Sequence, residues 1–182
     1  MDLPKRKPTR LKNYDYSSEG AYFITICTHN KQKILCDIGV EEGLCALPSI
    51  NLTPIGEEVN ESIKFIDNTY DNISVDKYVI MPNHIHLIIS KQTGGHGAPL
   101  LQLYEIIGRF KSFTNNKFKD KLWHRSFHDH IIRSELDYLK IWNYIDTNPQ
   151  KWKEDCFYKY ANKILLAFDN IMCYNTCRLK ER

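Results

Sequence analysis

Two histidines separated by one apolar residue lie inside the run Tyr78-Val-Ile-Met-Pro-Asn-His84-Ile-His86-Leu-Ile-Ile-Ser90. Successive side chains of an extended strand point to opposite faces, so His84 and His86 share one face while Ile85, Leu87 and Ile89 fill the other. Two neutral imidazoles side by side can bridge a divalent cation. The plainer alternative is a pair of half-exposed polar residues on a solvated sheet face.

The second chemical feature is Trp142-Asn-Tyr144-Ile-Asp-Thr-Asn148-Pro149. A helix is predicted from Ser134, whose hydroxyl caps it while Asp137 reaches back in a capping box. It stops at Pro149, because proline disfavours a helical residue before it. Tyr144 and Asn148 then lie one turn apart on one face, a phenol beside an amide oxygen. That is the arrangement of a nucleophile next to a metal ligand. Tyr144 also borders the apolar face formed by Tyr138, Ile141, Trp142 and Ile145, so its ring can pack while its hydroxyl reaches a site. Tyr138 is the rival nucleophile, but Trp142 occupies the position where a polar partner would stand.

Four ordered blocks carry a resemblance that covers most of the chain. They are Tyr14-Asp-Tyr-Ser-Ser-Glu-Gly-Ala-Tyr22-Phe-Ile-Thr-Ile-Cys-Thr28, then Val79-Ile-Met-Pro-Asn-His84-Ile-His86, then Trp123-His-Arg-Ser-Phe127-His-Asp129, and Tyr144-Ile-Asp-Thr-Asn148-Pro149. In these the chain resembles the single-tyrosine HUH transposases, specifically the REP-associated tyrosine transposases. The resemblance implies His84, His86 and Asn148 as ligands of a divalent cation, Mg²⁺ or Mn²⁺, and Tyr144 as the nucleophile that attacks DNA. Relatives outside the REP-associated group carry Gln where Asn148 stands. The resemblance further implies single-stranded DNA with hairpin structure as substrate, attachment of the enzyme to the 5′ side, release of a 3′ hydroxyl, and action as a monomer or a homodimer.

The chemistry requires such residue types whatever the family. A phosphodiester is a poor electrophile wrapped in negative charge, and a cation on its non-bridging oxygens neutralises charge that builds up in the transition state. Imidazole ligands favour Mn²⁺ over the oxygen-seeking Mg²⁺. A phenolic oxygen that attacks phosphorus gives a covalent phosphotyrosine, which keeps the bond energy for rejoining. The phenol has an ordinary pKa of about 10, so its deprotonation relies on the nearby cation or its bound water, and the sequence identifies no dedicated base. A two-metal nuclease would need several Asp or Glu near the site, and none is expected beside the histidines.

These groups must be positioned by elements that the patterning outlines: strand 22–28, an irregular insertion through Ile50, helix 54–66, strand 73–80, a tight turn at 81–83, and strand 84–90. A flexible loop at Gly94-Gly95-His96-Gly97 precedes helix 99–116, strand 123–133 and the Tyr144 helix. The order predicts an α+β fold, a ferredoxin-like antiparallel sheet with helices on one face plus an added C-terminal helix carrying the tyrosine. That helix must cross the face bearing His84 and His86. With 182 residues, one domain is expected: a basic arm over 1–20, the transposase-like domain over 21–150, and a tail over 151–182 that docks on the core.

Net charge is only +3, but the cations cluster. Lys5, Arg6 and Lys7 lie in the arm, and Arg109, Lys111, Lys117, Lys119 and Arg125 lie mid-chain, where they can meet phosphates. The six cysteines form no Cys-x-x-Cys pair, which argues against a zinc ribbon. No apolar run approaches the roughly 20 residues of a membrane span, so a cytoplasmic protein with reduced thiols is expected. His96, His124, His128 and His130 receive no ligand role. The alternative function is a domesticated DNA- or RNA-binding module without cleavage, although the sheet lacks the aromatic-rich signature of RNA-binding domains.

Overall fold

A computed structural model describes residues 14–39, 48–92 and 101–158. The basic arm with Lys5, Arg6 and Lys7, the glycine loop with His96, and the tail from 159 onward lie outside the described residues.

The main sheet contains β1 (Gly20–Cys27), β4 (Ile73–Met81), β5 (His84–Lys91) and β6 (His128–Ile132), in the antiparallel order β4-β5-β1-β6. Helix α1 (Pro54–Thr69) connects β1 to β4, α2 (Leu103–Phe118) connects β5 to β6, and α3 (Glu135–Thr147) follows the sheet. This is the expected ferredoxin-like arrangement. Pro82 and Asn83 make the turn between β4 and β5, where a residue without an N–H removes no ladder bond.

The period-two patterning explains the layers. Tyr22, Ile24 and Ile26 of β1 and Ile85, Leu87 and Ile89 of β5 form one core with Val59, Ile63, Ile106, Ile107 and Phe110 of α1 and α2. The opposite face carries Val79, Met81 and Ile88, covered by Ile141 and Ile145 of α3 and by Trp152 and Phe157 of the segment that follows. The two helix layers therefore sandwich the sheet, and α3 crosses the histidine face as the patterning requires. Residues 151–158 dock there through those two aromatic rings.

Four elements depart from expectation. The insertion after β1 is not wholly irregular: β2 (Cys36–Gly39) and β3 (Ser49–Leu52) form a two-stranded sheet, too short to show alternation. Helix α2 starts at Leu103 because Gln102 and Glu105 close a reciprocal capping box, and it ends where Lys119 turns left-handed at φ 51°. The strand expected from Trp123 shrinks to β6. Trp123 makes only an isolated bridge with Thr28, while its indole N–H donates to Thr114 Oγ1 at 2.7 Å inside the core. At the start of α3, Ser134 Oγ accepts from the Asp137 N–H, but the Asp137 carboxylate pairs with His130 Nε2 at 2.8 Å and does not reach back.

Candidate active site

The register brings Thr25 of β1 opposite His86, and Cys27 opposite His84, with Phe23 on the same face. His84 and His86 are 0% and 1% exposed, which removes the solvated-face alternative. Their Nε2 atoms stand 3.1 Å apart. Burial first, then the charges of His86 and Lys31, hold His84 well below the ordinary imidazole pKa, and burial pushes His86 down to about 3. Both rings are neutral near pH 7, as ligands must be.

The hydrogen-bond network fixes one tautomer. Asn83 Nδ2 donates to the carbonyls of Phe157 at 3.0 Å and Lys31 at 3.4 Å, so its oxygen faces His84 Nδ1 at 2.9 Å. An amide oxygen only accepts, hence His84 carries its proton on Nδ1 and offers a lone pair at Nε2. His86 Nδ1 meets the Thr25 hydroxyl at 2.8 Å, a group able to donate or accept. His86 can therefore keep either tautomer and present an Nε2 lone pair when a cation is bound.

Helix α3 delivers Tyr144 to this pair. Its hydroxyl lies 3.3 Å from His86 Nε2, and its ring packs edge-on against Phe23 and His86. Tyr138 points elsewhere, to Asp76 at 3.0 Å. Asn148, at the C-terminal end of α3, is 3% exposed, and its Oδ1 has no hydrogen-bond partner among the described residues. A buried acceptor without a donor is costly unless something else satisfies it, which fits a cation nearby.

Sequence reasoning missed a carboxylate. Ligand atoms of His84, His86 and Asp155 all lie within 4.8 Å of one another, which corrects the expectation that no acid stands beside the histidines. Asp155 sits past Pro149, beyond the short 3-10 turn Trp152–Glu154, where helical periodicity no longer reports position. Burial raises its pKa, while bonds from the Phe157 N–H, Asn148 and Cys156 and the charge of Lys31 pull it down. Trp152 and Phe157 supply the only sequence signal, an apolar pair flanking the acid. Phe157 packs on the His84 ring at a centroid distance of 4.5 Å. Lys31 Nζ stands over Phe157 at 5.3 Å, and Lys33 Nζ over Tyr158 at 4.6 Å, placing two further cations beside the site.

Four of the mid-chain cations sit on or cap α2, on the other face of the sheet: Arg109, Lys111 and Lys117 belong to the helix, and Lys119 caps it. Arg109 bonds the Tyr70 hydroxyl at 3.3 Å, Lys117 pairs with Glu58 at 2.6 Å, and Lys111 donates to the carbonyls of His124 and Ser126. Arg125 is exposed on the segment before β6.

A sheet of this order, with two helices on one face and a third helix across the other, has the fold of the REP-associated tyrosine transposases. One of these, solved bound to a REP hairpin, superposes with a TM-score of 0.56 at 18% sequence identity, covering 79% of this chain and 74% of that chain. The chain belongs to one family with an uncharacterized protein of Haemophilus influenzae, to which it is 34% identical over 175 residues, 84% of this chain and 93% of that protein. No protein-family model matches the chain. No helix among the described residues is long and apolar enough to cross a membrane.

Proposed function

We propose that this chain is a metal-dependent DNA strand transferase of the REP-associated tyrosine transposase type, which nicks and rejoins single strands beside hairpin-forming repeats. The observation that carries this reading is the Tyr144 hydroxyl 3.3 Å from His86 Nε2 within one chain. Tyr144 is the nucleophile, and His84, His86 and Asn148 hold Mg²⁺ or Mn²⁺. The two Nε2 atoms, 3.1 Å apart, are close enough for one cation to be held by both.

When bound, the cation supplies charge neutralisation at the phosphate oxygens. Tyr144 attacks phosphorus through its phenolic oxygen, the P–O3′ bond breaks, and the departing 3′ oxygen gains the proton that the phenol loses. The 5′ phosphate stays on Tyr144 until a 3′ hydroxyl reverses the step. Trp152 and Phe157 pack against the His84 ring and help keep the imidazoles buried. Lys5, Arg6, Lys7, Arg109, Lys111, Lys117, Lys119 and Arg125 are proposed phosphate contacts outside the reacting centre. Such a substrate places the enzyme in the bacterial cytoplasm, acting as a monomer or homodimer.

The test is denaturing electrophoresis after incubation with Mn²⁺ or Mg²⁺ and labelled single-stranded hairpins from the DNA flanking the gene. A covalent protein–DNA band is expected for the wild type and not for Tyr144→Phe or in chelator. Binding without linkage in the wild type would replace this reading with that of a non-cleaving binding module.

A further inference from the structure

We infer that Asp155, carried on the turn after the tyrosine helix, is a direct ligand of the cation held by His84 and His86, so that a carboxylate joins the two imidazoles and the Asn148 amide oxygen in the donor set. The inference rests on the reading of the two histidines as a cation site and specifies its donor set.

Three observations converge on it. The Asp155 carboxylate and both imidazoles bring ligand atoms within 4.8 Å of one another. Each histidine uses Nδ1 on a protein partner, Asn83 or Thr25, which leaves both Nε2 atoms on the side of the cluster. The Asn148 side chain bonds Asp155, and Asn148 Oδ1 next to it is a buried acceptor with no donor among the described residues. An amide that spends its N–H groups on a carboxylate and its oxygen on nothing is placed as it would be beside a cation.

The donor chemistry gives the carboxylate a purpose. Two neutral imidazoles alone would favour later transition metals, whereas a hard anionic oxygen shifts preference toward Mn²⁺ and Mg²⁺ and offsets one of the two cationic charges. Held by these donors, the cation would keep room in its shell for phosphate oxygens of the substrate. The Phe157 N–H donates to Asp155 Oδ1 at 2.6 Å, so the carboxylate is oriented before any ion arrives. The Trp152–Phe157 segment thus contributes chemistry as well as cover.

The experiment is a Mn²⁺ titration of the full chain followed by electron paramagnetic resonance of free Mn²⁺, with metal-free thermal midpoints recorded in chelator. One tight Mn²⁺ is expected for the wild type and none for the His84→Ala/His86→Ala double variant. Loss of an outer partner weakens metal binding by about 10–100-fold, so losing a ligand in Asp155→Asn should weaken it at least about tenfold. The isosteric amide keeps an acceptor for the Phe157 N–H, and Asp155→Ser serves as the second variant should the first fail to fold. A changed metal-free midpoint with unchanged Mn²⁺ affinity would mean a structural role and would overturn the inference while leaving the histidine site intact. Wild-type affinity in both the Asp155 and the histidine variants would overturn the inference together with the cation-site reading.

Discussion

Tyr138 donates its phenolic hydrogen to the Asp76 carboxylate across 3.0 Å, tying the helix that carries Tyr144 to the edge strand β4. Ser90 donates to the same oxygen, Oδ2, and Ser74 Oγ donates to the other, Oδ1, at 2.6 Å. Burial and the acid beside it push the Tyr138 phenol up to about 12, so it remains a donor throughout the physiological range. Asp76 occupies the irregular step between Val75 and Lys77, where an extra residue re-aims the strand.

Tyr138→Phe is therefore expected to cost about 1 kcal/mol, and Asp76→Ala, which strands three hydroxyls, about 1–3 kcal/mol. Urea unfolding of both single variants and the double variant checks this. The double variant should cost less than the sum, since both remove one bond; strict additivity would show that the bond contributes nothing.

Asn83 touches no candidate reacting atom, but it selects the His84 tautomer that exposes Nε2. Asn83→Leu should weaken Mn²⁺ binding by about 10–100-fold, and Asn83→Asp, which keeps an acceptor toward His84, should retain most of it. Calorimetric titration of the two variants decides; equal losses would point to a packing effect at the Phe157 carbonyl.

Acid should destabilise the metal-free protein. Folded His86 is pushed down to about 3 and His84 lies well below the ordinary value, so both stay neutral while the unfolded chain protonates them below about 6.5. The unfolded state then binds more protons, and stability falls as pH drops from 6.5 toward 3, by about 1 kcal/mol per unit for each histidine at steepest. Asp155, with its raised pKa, acts in the opposite sense in the carboxylate range. Thermal midpoints in chelator from pH 7.5 to 4.5 test this. The slope should shrink in His86→Gln, and a flat wild-type profile between pH 6.5 and 5 would refute it.

Two glycines should respond in opposite directions. A Cβ on Gly56 would meet the Leu35 carbonyl oxygen at 1.9 Å, so Gly56→Ala must push α1 off the β1–β2 connection. Gly108, inside α2, has nothing within 4 Å of its Cβ direction. Gly108→Ala should add about 0.4–1 kcal/mol by restricting the unfolded chain, whereas Gly56→Ala should cost about 1–3 kcal/mol. Chemical denaturation of each variant reads both signs.

The sequence made the histidine face legible because period-two alternation is a backbone property: Ile85, Leu87 and Ile89 had to face one way and His84 and His86 the other. The helix through Tyr144 was legible from Ser134 and Pro149, which act locally on the chain. Asp155 was not, because its place depends on Trp152 and Phe157 folding back over β5, a long-range packing event with no period. The Asp137 carboxylate was misassigned for a related reason, since His130 from a neighbouring strand outcompetes the local cap. The β2–β3 pair escaped notice because four-residue strands of mixed polarity leave no pattern to count.

Only Arg133 and Ser134 lie between β6 and α3. So short a tether, with Tyr138 fastened to Asp76 of the same chain, leaves the helix little reach toward a neighbouring molecule. With Tyr144 already 3.3 Å from His86 of the same chain, the expected arrangement is one in which each copy uses its own phenol with its own imidazoles. Mixing a Tyr144→Phe chain with a His84→Ala/His86→Ala chain should then restore no DNA linkage, and the specific activity of the wild type should not change on dilution.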